Sequence, residues 1–294
     1  MRVKYELLKD DNIEVEGHTL YRIRATKRFN DVKKGDLGGY IENEENLGHY
    51  SNCWVYDNAK VYGNACVCND ACVHNNAIVH DKANISGNAR ICDNANIFGN
   101  AQIHGDAKVD GTAYVYDIAE IFGNAQIHNE AEIAGNVYVY GNAVISNNAF
   151  VYDDARIYDN AHIYGNTKIY GNARVLNNAN VRGNTTLANN AYITDTNDCI
   201  TMGPIGSMDN YITFYLTEDK NIMVKIDYFN CTIEEFIKII SYETNNKYKN
   251  QYVNTITYAK CILRNESILY YKNNKINKEE IRMKLISSLL TFKY

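Results

Sequence analysis

The sequence lacks a long apolar run, and this absence bounds where the protein works. No stretch approaches the roughly 20 residues of a membrane-spanning helix, and residues 1–6 (MRVKYE) do not open a secretion signal. We therefore expect no membrane partner, a cytoplasmic location and eight cysteines that remain reduced thiols. Pro204 is the only proline, and with abundant Asn, Lys, Ile and Tyr this suggests an AT-rich bacterial or phage genome.

The sequence also lacks an excess of basic residues. It has 30 Lys and Arg against 35 Asp and Glu, a formal net charge of -5. Residues 198–294 carry 13 basic and 11 acidic side chains, so residues 1–197 carry 30 − 13 = 17 basic and 35 − 11 = 24 acidic ones, or -7. A surface of this sign repels a polyanion, so we expect no nucleic-acid polymer as partner.

A repeat of six residues runs from Val55 to Ile193 without insertion or deletion. Its first position is Val, Ile or Leu in all 24 hexads, and its fifth is Ala at 20 of 23 sites. The third position is always Gly, Asn or Asp, the residues that best tolerate a left-handed backbone. The fourth is usually Asn, which can bond locally or stack on its copy in the next coil. The pattern predicts short strands separated by tight corners.

The hexad fits neither of the two simpler structures. A string of hairpins alternates at period two over longer stretches, and an amphipathic helix has period 3.6. In a short strand, positions one and five point inward, whereas positions two and six flank the inward aliphatic residue and point outward. The repeat therefore predicts a thin, continuous apolar core inside a coiled β structure.

The pattern resembles the hexapeptide-repeat proteins, in which an aliphatic residue is followed four places later by a small one, as in Val61 and Ala65. This resemblance covers about half the chain. It implies a left-handed parallel β-helix with three hexads, or 18 residues, per coil, and 24 hexads then make about eight coils. The segments at residues 29–41 (FNDVKKGDLGGYI) and 53–57 (CWVYD) are similar to an uncharacterised bacterial hexapeptide family of putative transferases.

The composition changes at both ends of the repeat, so we expect three segments. Residues 1–54 form an N-terminal β cap and residues 55–197 form the β-helix. Residues 198–294 form a small α+β domain with a C-terminal helical tail. A hairpin is predicted at residues 211–216 and 221–228 of this domain. A first helix is predicted to begin at Thr232, a second to cover residues 250–263 and a third to cover residues 278–290. The predicted fold class is mainly β.

An 18-residue coil stacks outward side chains in columns, and one face collects an aromatic strip. We interpret this strip as a subunit interface or a ligand surface. Its residues are Tyr62, His80, Phe98, Tyr114, Tyr116, Phe150, Tyr152 and Tyr170. A second face stacks Cys72, His74 and Cys92, which have metal-compatible chemistry but no recognised ligand spacing, so no metal site is expected. The third face offers a basic and aromatic patch that includes Arg156 and Arg174.

The resemblance also implies a trimer, acyl-CoA bound between neighbouring subunits, and a histidine as general base. Three outward histidines are candidates, namely His74, His104 and His128. Such enzymes shape their acceptor site with a loop ejected from the solenoid, and this repeat ejects none. No serine-histidine-acid order, paired-carboxylate motif or dinucleotide fingerprint occurs elsewhere.

One further stretch has suggestive chemistry, at residues 202–207. Gly203, Gly206 and Ser207 could turn amides and a hydroxyl toward an anion. The stretch lacks the lysine and length of a phosphate-binding loop, so we favour a tight connection between the solenoid and the terminal domain, with the glycines there for backbone reasons.

We therefore expect a non-catalytic, homo-oligomeric solenoid without a cofactor. It would bind a small ligand or protein partner at its aromatic seams or at the junction with the C-terminal domain. One concrete form is a phage protein that sequesters a nucleotide immune signal. The alternatives are an acyl-CoA-dependent acyltransferase and a structural spacer or assembly protein.

Overall fold

The computed structural model describes residues 3–264 and is mainly β. A parallel β-solenoid dominates the chain, and a C-terminal antiparallel sheet with two helices follows it. The chain divides into two compact units. The second unit contains residues 197–264 together with two late segments of the repeat, Thr185–Leu187 and Ala191–Ile193.

Each solenoid strand, or rung, has two residues, an outward one followed by a buried one. Sheet A of the first unit contains Lys60–Val61, Ile78–Val79, Asn96–Ile97, Tyr114–Val115, Glu132–Ile133, Phe150–Val151 and Lys168–Ile169. Sheet B contains Trp54–Val55, Cys72–Val73, Arg90–Ile91, Lys108–Val109, Gln126–Ile127, Val144–Ile145, His162–Ile163 and Asn180–Val181. Sheet C contains Cys66–Val67, Asn84–Ile85, Gln102–Ile103, Glu120–Ile121, Tyr138–Val139, Arg156–Ile157 and Arg174–Val175. Thr186–Leu187 and Tyr192–Ile193 are the rungs of the second unit.

The register confirms three hexads per coil. Arg90 pairs in parallel with Cys72 on one side and Lys108 on the other, each 18 residues away. Aliphatic residues at position one and alanines at position five are buried along the repeat, as predicted. All 23 residues at position three have a positive φ, between 50° and 81°. The corner chemistry of the sequence therefore matches the backbone that turns it.

Side-chain amides and carboxylates tie successive corners together. The Asp117 carboxylate accepts a hydrogen bond from the Gly135 amide one coil further along (2.9 Å). At position four, the Asn124 amide donates to Asn142 and the Asn142 amide donates to Asn160, both at 3.0 Å. These ladders confirm that the asparagines bond to their copies in the next coil.

The N-terminal cap is a β-meander that joins sheet A. Strands β1 (Tyr5–Val15), β2 (His18–Ala25) and β3 (Leu37–Ile41) pair antiparallel in sequence order, and β3 then pairs in parallel with the first rung of sheet A. A 3-10 turn at Glu44–Asn46 follows, and Leu47 forms a parallel bridge with Val67. Residues 37–53 thus form an irregular first turn ahead of the eight coils that the hexads predict.

The second unit is an antiparallel sheet covered by helices. Its strands, in sheet order, are β4 (Cys199–Ile205), β5 (Asn210–Leu216), β6 (Ile222–Ile226) and β7 (Phe229–Thr232). Helices α1 (Ile233–Ser241) and α2 (Asn246–Leu263) share an apolar core with this sheet. The predicted hairpin is confirmed as β5 and β6, and Thr232 and Glu235 form the predicted capping box of α1.

The second helix begins earlier than predicted because Asn245 caps it. The helix predicted at residues 278–290 lies outside the described residues. Over residues 3–264, no helix combines the length and apolar character needed to cross a bilayer.

Candidate functional site

Outward rings at position two form stacked ladders on sheets A and C. On sheet A, the centroids of Tyr62, His80, Phe98 and Tyr116 follow one another at 5.1, 5.1 and 4.8 Å. On sheet C, the centroids of His104, Phe122, Tyr140 and Tyr158 follow at 5.1, 4.9 and 4.9 Å. Consecutive rings cover one another's faces, so the ladders stabilise the coils. Ring edges and hydroxyl groups are what a ligand or partner can reach.

The aromatic strip of sheet A is less uniform than the sequence predicts. It is interrupted at Ala134, which is 6% exposed, and resumes with Tyr152 and Tyr170 stacked at 4.9 Å. Phe150 lies against Tyr152 at 4.5 Å, tilted by 26°.

The prediction that Tyr62 belongs to the exposed aromatic strip is wrong, because the N-terminal cap covers this side chain. Its side chain is 3% exposed, its ring lies 5.1 Å from the His18 ring, and its hydroxyl donates to Glu16. Tyr62 is therefore unavailable as a ligand or interface residue. Sequence reasoning placed it on the strip because the cap's path is not visible in the hexads.

Two large apolar side chains of the repeat are exposed on one coil, Tyr114 in sheet A and Ile118 in the corner that follows. Within residues 54–193, Tyr114 and Ile118 are the large hydrophobic side chains that remain exposed, at 45% and 55%. Ile118 occupies position four, where every other hexad has Asn, Asp, Lys, Thr or Glu. Sequence reasoning missed Ile118, although the exception is readable from the repeat.

Sheet B carries a polar network across two coils. Asp110 accepts a hydrogen bond from the Lys108 ammonium (2.7 Å) and lies 2.6 Å from His128 Nδ1. His128 Nε2 lies 3.1 Å from Gln126 Oε1. Burial acts to raise the pKa of Asp110, but its hydrogen bonds to Lys108 and His128 outweigh burial and lower that pKa. The carboxylate therefore stays ionised and orients the imidazole.

Ser146 follows His128 in the same column, which creates an acid-histidine-serine order that the linear sequence does not show. The Ser146 hydroxyl, however, bonds to Asn147 Oδ1 at 3.3 Å, and His128 Nε2 is engaged by Gln126. The three side chains do not form a closed triad.

The other two candidate histidines have different surroundings. His104 Nε2 lies 2.8 Å from Glu120 Oε1, and its ring belongs to the ladder of sheet C. His74 stacks on Tyr56 at 4.1 Å, and its Nε2 is a buried atom without a hydrogen-bond partner within residues 3–264. Burial lowers the pKa of His74, and the nearby Arg90 charge lowers it further, so this imidazole is neutral.

The thiols beside His74 are poor metal ligands in this surrounding. Burial raises the pKa of Cys72 to about 11 and also raises the pKa of Cys92, which disfavours the thiolate that binds metal. Across residues 3–264, no group of three or more His, Cys, Asp or Glu side chains could hold a metal ion.

Residues 202–207 lie within a hairpin of the second unit, so their interpretation as a connection from the solenoid is wrong. Gly203 is in β4, and Gly206, with φ +81°, lies in the turn before β5. A Cβ on Gly206 would clash with the Tyr252 hydroxyl. The Gly206 amide already donates to Gln251 Oε1 at 3.2 Å. Gly206 is explained by backbone geometry, and Ser207 is exposed beside it.

The solenoid wall offers open depressions at its corners. One, of about 460 Å³, is lined by polar corner residues that include Asn75, Asp93 and Asn129. Another, of about 410 Å³, is lined by His18, Lys82 and Asn100 among others. Both are open to solvent and are lined largely by turn residues with polar side chains. They differ in this from the enclosed, mostly apolar clefts that bury small molecules.

A comparison with protein families supports the repeat. A family model described as the YdcK beta solenoid repeat matches residues 89–105 and 149–165. The match lies within the regular coils and does not reach residues 29–57, on which the resemblance to putative transferases rests. No curated protein gives a significant match. The chain is thus similar to β-solenoid repeat proteins over two stretches of the coil.

Proposed function

We propose that the protein is a non-catalytic β-solenoid that self-associates through sheet A, with Tyr114 and Ile118 at the centre of the contact. The exposure of these two apolar side chains on one coil carries this proposal. Exposed apolar surface on a soluble protein is usually covered by a partner. The resemblance to hexapeptide-repeat proteins adds that three copies assemble.

The position of Ile118 strengthens the argument for a second copy of the chain. Asn100 precedes it and Asn136 follows it in the same corner column, and an isoleucine can neither donate nor accept in an amide ladder. The Ile118 side chain therefore adds nothing to the corner ladder, although the Ile118 backbone amide still donates to the Gly135 carbonyl oxygen of the next coil (3.3 Å). The side chain instead points apolar surface to solvent. Burying such a side chain against a neighbour contributes about 1.5 kcal/mol or more.

Replacing Ile118 by the residue typical of its position should separate the subunits. Ile118→Asn removes the apolar contact and restores an amide to the corner ladder, so the fold should stay at least as stable. Light scattering should show the mass of the wild type as a multiple of 33.5 kDa and the mass of the variant as 33.5 kDa. Size-exclusion profiles at several concentrations should agree.

Thr112→Asn is the matched control, since it makes a similar change at position four of a different corner on the same coil. Its mass should equal that of the wild type. A monomeric wild type, or an Ile118→Asn protein of unchanged mass, would remove the basis of the proposal.

A ligand at the same seam is the finer form of the proposal. Tyr116 and Tyr152 belong to the stacked column of sheet A, Tyr116 on the same coil as Tyr114 and Tyr152 two coils further along. Aromatic side chains of this kind suit a planar molecule such as a nucleotide. Native mass spectrometry of protein purified from its native host should show the added mass of a co-purified ligand. A thermal-shift screen should then rank nucleotides by the rise in melting temperature that each produces. A protein without bound mass and without any shift would leave assembly as its role.

The second candidate function is acyl transfer, which the Asp110 and His128 pair favours. A carboxylate on Nδ1 is the arrangement that orients a histidine for general-base catalysis. If this function holds, acetyl-CoA raises the melting temperature and turnover is lost in His128→Ala. His162→Ala, an exposed histidine on the same sheet, should keep the turnover. Absence of an acetyl-CoA shift would exclude this candidate.

A further inference from the structure

A lysine and a cysteine meet inside the N-terminal cap. Lys4 is 1% exposed and Cys53 is fully buried. The Lys4 ammonium nitrogen donates to the carbonyl oxygens of Ser51 (3.0 Å) and Cys53 (2.7 Å) and lies 3.2 Å from Cys53 Sγ. The Cys53 thiol donates to the Gly48 carbonyl oxygen at 3.2 Å. An amine and a thiol from residues 49 positions apart are therefore in contact.

The surroundings of the pair are apolar and aromatic. Lys4 Nζ lies 5.0 Å from the centre of the Phe29 ring, and the adjacent side chains of Tyr5 and Trp54 are buried. Burial lowers the pKa of Lys4, although the neighbouring Cys53 acts to raise it. The site thus increases the fraction of unprotonated amine, which is the form that can act as a nucleophile.

We infer that Lys4 and Cys53 form a nitrogen–sulfur crosslink when a hydroperoxide oxidises the thiol. In the first step, the sulfur attacks one peroxide oxygen of hydrogen peroxide, giving a sulfenic acid and one water. In the second step, the Lys4 nitrogen attacks that sulfur, the S–O bond breaks, and the hydroxyl leaves as water with a proton from the nitrogen. Peroxide is reduced to two waters, and the protein loses two hydrogens.

The reaction fits this pair because the nucleophile is already in place. Sulfenic acids condense with a thiol or with a backbone nitrogen. Lys4 Nζ lies within hydrogen-bond distance of the sulfur (3.2 Å) and offers an amine nitrogen for the same reaction. Cys66 offers a comparison inside the same unit. Burial raises its pKa, and its hydrogen-bond partner is the thiol of Cys68 rather than an amine.

The crosslink would join the start of β1 to the first turn of the solenoid. It would close a loop of about 50 residues in the unfolded chain, and such a closure stabilises the folded state in the way a disulfide does. The cap would then respond to peroxide by becoming harder to unfold. This inference stands apart from the proposed self-association.

Peptide mapping of the wild-type full chain tests the crosslink. After treatment with hydrogen peroxide, mass spectrometry should find a peptide that joins the segments around Lys4 and Cys53, about 2 Da lighter than the two free peptides. Trypsin should no longer cut after Lys4, and the melting temperature should rise by several degrees. Dithiothreitol should restore two free peptides and the original melting temperature.

Two variants complete the test. Lys4→Met keeps an apolar side chain of similar length but removes the amine, so peroxide should leave Cys53 as sulfenic or sulfinic acid with no rise in melting temperature. Cys53→Ser should leave Lys4 open to trypsin under all conditions. A wild-type protein in which peroxide adds oxygen to Cys53 while Lys4 stays free, or in which both side chains stay unmodified, would overturn the inference.

Discussion

Gly111→Ala should lower the free energy of unfolding by about 3 kcal/mol, whereas Gly183→Ala should lower it by about 1 kcal/mol. Both glycines occupy position three and have nearly the same left-handed backbone, with φ of +71° and +73°. An alanine pays the conformational cost of that backbone at either site. The difference between the two losses of unfolding free energy therefore measures the steric cost of the added Cβ between successive coils.

The contact at Gly111 is with backbone. A Cβ there would lie 2.6 Å from the Asn129 nitrogen and 2.7 Å from the Asn129 Cα and carbonyl oxygen. These atoms belong to the next coil and cannot rotate away, so the coils must separate or shift register. A Cβ at Gly183 would meet no atom of residues 3–264 within 4 Å.

Urea denaturation followed by circular dichroism measures both losses. The expected outcome is a midpoint clearly lower for Gly111→Ala than for Gly183→Ala, with both variants retaining the β spectrum at low urea. Equal losses would mean that the coil spacing relaxes around a methyl group. In that case the glycines of position three would be explained by φ alone.

The hexads predicted the solenoid because each of their positions has one local requirement. Position three needs a residue that tolerates a left-handed backbone, and position five needs a small side chain. Both requirements come from contacts within one coil or between adjacent coils. Columns 18 residues apart follow directly, so the ladder from Phe122 to Tyr158 and the pairing of Asp110 with His128 were readable once the coil was folded.

Contacts that depend on the non-repeating ends were not readable. The cap buries Tyr62 and adds a first turn at residues 37–53, because β3 pairs with the first rung of sheet A. The contact of Lys4 with Cys53 depends on the same path. Ile118 differs from these contacts, because the repeat itself shows an apolar residue at a position four that is otherwise polar.

Trp54→Ala should lower the free energy of unfolding by about 3 to 5 kcal/mol. Trp54 is buried, and its ring meets the rings of Tyr5 and Phe29 at 6.1 and 5.3 Å, both edge-on. A Cβ on Gly38 would lie 2.7 Å from the same indole, so the ring packs directly against the backbone of β3. Truncation removes the largest side chain that joins the cap to the first coil.

Arg90→Ala is the matched control, because Arg90 occupies the same hexad position of sheet B two coils further along and is exposed. Its loss should stay within about 0.5 kcal/mol. Denaturation midpoints of the two variants measure this difference. A similar small loss for Trp54→Ala would show that the cap holds to the solenoid through its backbone pairing.

The loss should also be local, because coils of a solenoid contact only their neighbours and stability is carried by nearest-neighbour terms. Hydrogen exchange in Trp54→Ala should accelerate in the amides of Val55 and Val73, which lie in the first coils. Amides of Ile157 and Val175, several coils away, should keep the protection of the wild type. Uniform acceleration along the repeat would instead mean that the cap and all coils unfold as one cooperative unit, in which the end coil limits the stability of the whole solenoid.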